Sequence, residues 1–144
     1  MGSGLSARLA AVVDALPIEA GMRVLEIGCG PGAAAREVAR RVGAKGSVLA
    51  IDRSATAVAQ AEAACAAEIA AGWLRVRQAA VEEFEAAEGE GPFDLVFAVR
   101  VGALDGRYPE AGRRALERIA AVLAPGGRVF VDGGDPLREL VVRE

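Results

Sequence analysis

Gly28, Gly30 and Gly32 occupy alternate positions directly after an apolar run, in the stretch VLEIGCGPG at 24–32. A turn that bare either satisfies backbone angles that glycine adopts at little cost, or lets a ligand approach the main chain closely. Twenty positions after Gly32, Asp52 closes a second apolar run, AIDRS at 50–54. A carboxylate at a strand end, paired at this spacing with a glycine turn, can accept hydrogen bonds from both ribose hydroxyls of a nucleoside. Turn and acid together point to a nucleoside-bearing ligand. The turn reads G-x-G-x-G and not the G-x-G-x-x-G of dinucleotide binders, and the absence of Gly-Lys-Ser/Thr excludes a P-loop.

Other chemistry is removed by composition. The sequence contains no histidine, so no Ser-His or Cys-His nucleophile pair and no histidine-rich metal site can be built. No metal is expected. Cys29 lies inside the glycine turn with no basic partner in view, and reads as a small residue in a tight loop before a nucleophile. It and Cys65 suggest no disulfide framework, which fits a reduced, cytoplasmic setting. Lys and Arg number 17 against 20 Asp and Glu, a net charge of −3. That balance argues against a nucleic-acid partner held through its phosphates. The clusters Arg36, Arg40, Arg41 and Arg113, Arg114, Arg118 read as solvated helix faces. No apolar run is long enough to span a bilayer and no secretory signal pattern is present, so no membrane partner is expected.

The elements that must position the turn and the acid alternate along 144 residues, the size of one domain, and 53% hydrophobic residues supply a core. Leu5 to Leu16 carries apolar residues at helical spacing and stops at Pro17. Met1 to Gly4 is given no structural weight. Arg23 to Ile27 is a strand candidate, Ala33 to Val42 a helix entered from the turn, and Ser47 to Ile51 a second strand. Ser54 caps an alanine-rich helix that runs to Ala71 and closes at Gly72. Trp73 to Arg77 is a third strand, Val81 to Glu88 a short helix, 89–92 a loop, and Phe93 to Val99 the most apolar strand. Pro109 opens a helix whose buried stripe is Leu116, Ile119, Val122 and Leu123. Pro125, Gly126 and Gly127 end it, and Arg128 to Val131 is a fifth strand. Short apolar strands alternating with helices predict an α/β fold, a parallel sheet covered on both faces. Such sheets bind ligands beyond the carboxyl ends of their strands, where the turn at Gly28 lies.

VLEIGCGPG, then AIDRS, then FDLVFAV, then ALERIAAVLAPGGRVFV, in that order from Val24 to Val131, resembles the class I S-adenosylmethionine-dependent methyltransferases. The resemblance implies a doubly wound, mostly parallel Rossmann-like sheet. It implies that Gly28, Cys29, Gly30 and Gly32 form the loop passing the methionine moiety of S-adenosylmethionine, with Glu26 beneath the loop helping to fix it. Asp52 would hold the ribose and Arg53 would lie along the adenine. Ala80, Val81 and Glu82 stand where the family's adenine contacts lie, and Val99 and Arg100 would stand beside the transferable methyl. The chain departs at Ala79 to Val81, where the family often has Gly-Asp-Ala, so the usual aspartate is Ala80. One charge-assisted hydrogen bond is worth about 1.5–3 kcal/mol, so its loss weakens binding without abolishing it.

The cofactor's sulfonium is already activated, so the protein mainly aligns donor and acceptor, and a base is needed only where the acceptor must lose a proton. Glu82, Asp105 and Tyr108 are the candidates, each also readable as a solvated loop residue; no catalytic residue is assigned. The family's sheet usually continues past the fifth strand, whereas here only VDGGDPLRELVVRE remains from Val131. Gly133 to Pro136 is turn chemistry and Leu137, Leu140, Val141 and Val142 can pack. The tail is expected to fold back antiparallel to the fifth strand as an abbreviated edge, and a partly covered edge would admit a homodimer. Three functions stay open: a methyltransferase acting on a small-molecule acceptor, a non-catalytic S-adenosylmethionine-binding module that needs a partner, and a nicotinamide-dependent redox protein.

Overall fold

A computed structural model describes residues 5–142; the readings on Met1 to Gly4 and on Glu144 lie outside that range. Helix α1 (Ala7–Ala15) is capped by Ser6, whose hydroxyl accepts from the Leu9 amide at 3.1 Å. Strand β1 (Arg23–Ile27) is buried on both faces from Val24 onward and leads through the glycine turn into α2 (Ala33–Val42). Then follow β2 (Ser47–Asp52), α3 (Ala55–Ala64), α4 (Ala66–Ala70), β3 (Leu74–Gln78), β4 (Phe93–Ala98), α5 (Pro109–Val122), β5 (Leu123–Asp132) and β6 (Leu137–Leu140). The strand order is β3-β2-β1-β4-β5-β6, with β1 to β5 parallel and β6 antiparallel to β5.

The chain moves outward from β1 to β3 on one side, then crosses back to place β4 on the other side of β1. The order therefore reverses between β1 and β4, and a crevice opens beyond their carboxyl ends. Two cores hold the layers. One gathers Val13 of α1, Val38 and Val42 of α2, and Ala61 and Cys65 against one sheet face. The other gathers Ala115 and Ile119 of α5 with Val81, Phe84 and Phe93 against the opposite face.

Three expectations change. The helix expected from Ser54 to Ala71 breaks at Cys65, whose backbone leaves helical angles. The break seats the Cys65 thiol against the Gly32 carbonyl at 3.5 Å and brings Glu68 to Arg36 and Arg40 of α2. Burial pushes the Glu68 carboxyl up, but backbone hydrogen bonding and those two guanidinium groups outweigh it and leave it below its usual value. The helix expected over Val81 to Glu88 is only a 3-10 turn, Val81–Glu83. The Ala87 amide that would continue it donates to Glu90 Oε1 at 2.7 Å instead, and Glu90 is held by Arg75 and Arg77 of β3. Phe84 is thereby free to bury against Phe93, ring centroids 6.5 Å apart. Leu123, expected at the end of α5, already pairs with Phe93 as part of β5, and a shift of register follows before Arg128 meets Leu95.

The tail folds back as expected. Asp132 pairs with Leu137 and Val129 with Leu140, and Glu139 accepts from Arg128 at 2.8 and 3.0 Å. The turn needs Gly134, because a side chain there would run into the Leu137 carbonyl.

Candidate functional site

The glycine turn closes on itself. The amides of Gly28 and Cys29 both donate to the Ile51 carbonyl of β2, at 2.8 and 3.0 Å, and the Gly32 amide donates to the Cys29 carbonyl at 3.0 Å. The Gly30 amide donates to Asp52 Oδ2 at 2.9 Å. Pro31 has no amide to give, so the turn from Gly28 to Gly32 retains no free donor. The glycines divide by role. A Cβ on Gly28 would stand 2.7 Å from Val101 Cγ2, and one on Gly32 2.9 Å from Cys65 Sγ. A Cβ on Gly30 would meet nothing within 4 Å, so there the turn faces open space.

Asp52 is more than a free acceptor. Its Oδ1 takes the Ser54 amide at 2.9 Å, while Oδ2 holds Gly30, so the carboxylate fastens the turn to the start of α3. Each oxygen keeps a further lone pair for a ligand. Glu26 lies one residue before the carboxyl end of β1, only 3% exposed, between Ala50 of β2 and Phe97 of β4. Its Oε1 has no hydrogen-bond partner. Burial, and secondarily the Asp52 charge, push this carboxyl up to about 8. Burial, then Glu26 and Asp52, push the Cys29 thiol up to about 12, so it is no nucleophile at neutral pH.

A cleft of about 410 Å³ opens at the carboxyl ends of β1, β2 and β4. Eight residues singled out in the sequence line it: Gly28, Asp52, Arg53, Ala80, Val81, Glu82, Arg100 and Tyr108. Arg53 and Glu82 face each other as an ion pair at 3.7 Å. Glu26, Cys29, Gly30 and Gly32 are not on its wall; Glu26, Cys29 and Gly32 are buried, and Gly30 is half-buried beside the cleft. Val99 packs into the core on the α1–α2 face and does not line the cleft. Of the candidate bases, Asp105 is off the wall and bound by the Arg107 amide at 3.0 Å and guanidinium at 2.7 Å. Tyr108 stands at the mouth, 58% exposed.

Sequence reasoning missed most of the wall after β4. Val101, Gly102, Ala103 and Ala111 line the cleft, and Gly102 lies directly under the Tyr108 ring, where a Cβ would come within 2.9 Å. This stretch has no apolar period to read; its local signals were two glycines, Gly102 and Gly106, in a short segment before Pro109. Arg100 is the only described non-glycine residue at positive φ, 59°. Its amide donates to Asp132 Oδ1 at 3.0 Å, which fixes that conformation at the end of β5.

A family model described as a methyltransferase domain matches residues 24–127, from the start of β1 to the irregular part of β5. Nocamycin O-methyltransferase of Saccharothrix syringae is 37% identical over 129 residues, which cover 90% of this chain and 42% of that protein. Protein-L-isoaspartate O-methyltransferase of Methylorubrum populi is 36% identical over 135 residues, 94% of this chain and 56% of that protein. Among solved structures, an arsenic(III) S-adenosylmethionine methyltransferase from Chlamydomonas reinhardtii aligns with a TM-score of 0.66 at 28% identity, covering 89% of this chain and 49% of that one. The chain spans about half the length of the relatives it matches.

Proposed function

The chain belongs to the methyltransferase domain family, and on that premise we propose that it moves a methyl group from S-adenosylmethionine to a small-molecule acceptor. The observation that carries the reading is a glycine turn with no free donor, set over the buried Glu26 carboxyl, whose Oε1 has no partner. A turn whose amides are all taken has nothing to cradle a pyrophosphate, which argues against a nicotinamide dinucleotide. Its open face at Gly30 accepts a cationic ligand, and a cation there favours the ionised form of Glu26 below it. S-adenosylmethionine, with its ammonium and sulfonium groups, meets that requirement.

The remaining assignments follow from the wall. Asp52 has lone pairs left for the two ribose hydroxyls, and Ala80 and Val81 give an apolar backing for the adenine, with Arg53 held over it by Glu82. When bound, the cofactor supplies a methyl already activated for displacement. The chain's own part is to hold the acceptor in line with it, and orientation of that kind supplies about 7–11 kcal/mol in well-aligned systems. Both curated relatives are named O-methyltransferases, which supports an oxygen acceptor. One of them is named for a protein substrate. A reduced, cytoplasmic setting and a homodimer through the outer edge of β6 belong to the same proposal. Calorimetric titration with S-adenosylmethionine, S-adenosylhomocysteine and NAD tests it. The two sulfur compounds should compete for one site and NAD should not bind; binding of NAD alone would sink the reading.

A further inference from the structure

Arg100 is held in the left-handed region at φ 59°, a conformation that costs a non-glycine residue about 1–2 kcal/mol. The cost is met by a specific contact, the Arg100 amide on Asp132 Oδ1. Asp132 would be a natural ion partner for the Arg100 side chain, yet its other oxygen is occupied by Arg8 at 2.8 Å. Asp132 thus fixes the Arg100 backbone and leaves the guanidinium free. The other arginine on the cleft wall, Arg53, is paired with Glu82. Among the described residues Arg100 is the one basic side chain lining the cleft without a carboxylate partner.

The same wall holds no positioned base. Asp52 is committed to two backbone amides and Glu82 to Arg53. Tyr108 lies under the Arg107 guanidinium, 5.8 Å from its ring centre, with no carboxylate on its phenol among the described residues, and Glu26 lies off the wall. An alcohol or phenol acceptor would have to shed a proton with nothing placed to receive it. A carboxylate brings its nucleophilic oxygen already ionised, and its charge suits an unpaired guanidinium.

We infer that the acceptor is a small carboxylate, anchored by the Arg100 guanidinium and methylated on its own carboxyl oxygen; this rests on the methyltransferase reading above. A carboxylate oxygen lone pair forms the new C–O bond. The bond between methyl carbon and sulfonium sulfur breaks, and its electron pair stays on sulfur as a thioether. One negative and one positive charge cancel, and no proton moves. The product is a methyl ester.

The test uses the full chain saturated with S-adenosylhomocysteine, titrated calorimetrically with benzoate, phenylacetate and butyrate and with their neutral primary amides. At least one acid should bind and its amide should not. Arg100→Gly suits the positive φ, and it should weaken acid binding at least tenfold while the far-UV circular dichroism and thermal midpoint of the unliganded chain, the controls for folding, stay near those of the parent. Arg100→Lys should restore part of the loss. With labelled S-adenosylmethionine, the transferred label should be released as methanol by mild alkali, as an ester requires. Alkali-stable label, equal acid binding by Arg100→Gly, or no preference for any acid over its amide overturns the inference while leaving the methyltransferase reading standing. Failure of the parent chain to bind S-adenosylhomocysteine overturns that reading itself.

Discussion

The two sides of the cleft are built on different principles. The turn from Gly28 to Gly32 is tied to its neighbours at every available amide, to Ile51, to Asp52 and within itself. The wall from Arg100 to Ala111 begins at a left-handed arginine fastened to Asp132, continues through a 3-10 turn at Gly102–Leu104, and passes under an exposed tyrosine. A backbone tied down in this way suits the proposed cofactor site, where the Asp52 carboxylate and the shape of the turn, with no free amide, would set the contacts. On the second side the contacts are side chains on an irregular segment, where a change of residue alters selectivity without disturbing the sheet.

The sharpest way to break this contrast is inside the rigid side itself, where neighbouring glycines have separate jobs. Gly32→Ala would press a Cβ onto Cys65 Sγ at 2.9 Å and Ala61 Cβ at 3.1 Å, at a φ of +91°. It should cost about 2–4 kcal/mol of stability, from backbone strain and overpacking together. Gly30→Ala, at φ +54° in open space, should cost only about 1 kcal/mol. In the proposed cofactor site its Cβ would occupy the ligand's side of the turn, so S-adenosylmethionine affinity should fall at least tenfold. Urea unfolding and calorimetry on both variants check this; equal stability losses would mean that the glycines are interchangeable.

The next effect concerns what closes the sheet beyond the irregular wall. Ending the chain after Asp132 removes β6, its ladder with Val129 to Asp132, and the Arg128–Glu139 pair. The outer edge of β5 is then bare, and bare edges pair with other chains. Light scattering should report larger species or aggregation. A truncated chain of unchanged size and solubility would show that β6 protects nothing.

Asp52 joins the two sides of the argument because it serves fold and ligand at once. Asp52→Ala frees the Gly30 and Ser54 amides together with any ribose contact. Binding should weaken by about 1.5–3 kcal/mol, the range for bonds to a charged group, and unfolding stability should fall by roughly 1–2 kcal/mol as well. A loss of binding with stability intact would make Asp52 a pure ligand residue, as the sequence suggested.

What was legible follows the same line. β1, the turn and α2 were readable because their signals are local: an apolar run, alternating glycines, and then helical spacing that starts at Ala33. The antiparallel tail was readable from its turn residues. The helix expected at Val81 to Glu88 failed because Glu90, itself held by two arginines of β3, captures the Ala87 amide. The break at Cys65 depends on Gly32 and α2, more than twenty residues away in the chain. Arg100 could be placed after β4 by resemblance, but its unpaired state depends on Arg8 occupying Asp132, a contact between the two ends of the chain.

The smallest expected effect is a pH dependence that sets the free and liganded chain against each other. Glu26 has its carboxyl raised from 4.5 to about 8, by burial first and the Asp52 charge second. Between those values the unfolded chain has released this proton and the folded chain still holds it. The unfolded state then binds fewer protons, so this group's contribution makes stability fall as pH rises from about 4.5 to about 8. A cationic ligand over the turn reverses the preference, because it favours ionised Glu26. Its affinity should therefore rise with pH below 8, by roughly tenfold between pH 6 and pH 7 if only the ionised form binds. Cys29, with its thiol near 12, does not titrate in this window. The ligand's own amino group does, with a reference value of about 7.7–8.0, and its loss of charge should turn the curve down above pH 8. Thermal shift with S-adenosylmethionine from pH 6 to pH 9 should thus pass through a maximum in the parent chain. Glu26→Gln removes the titrating group and should leave only the downward limb; a rising limb that survives in Glu26→Gln assigns the dependence to another residue.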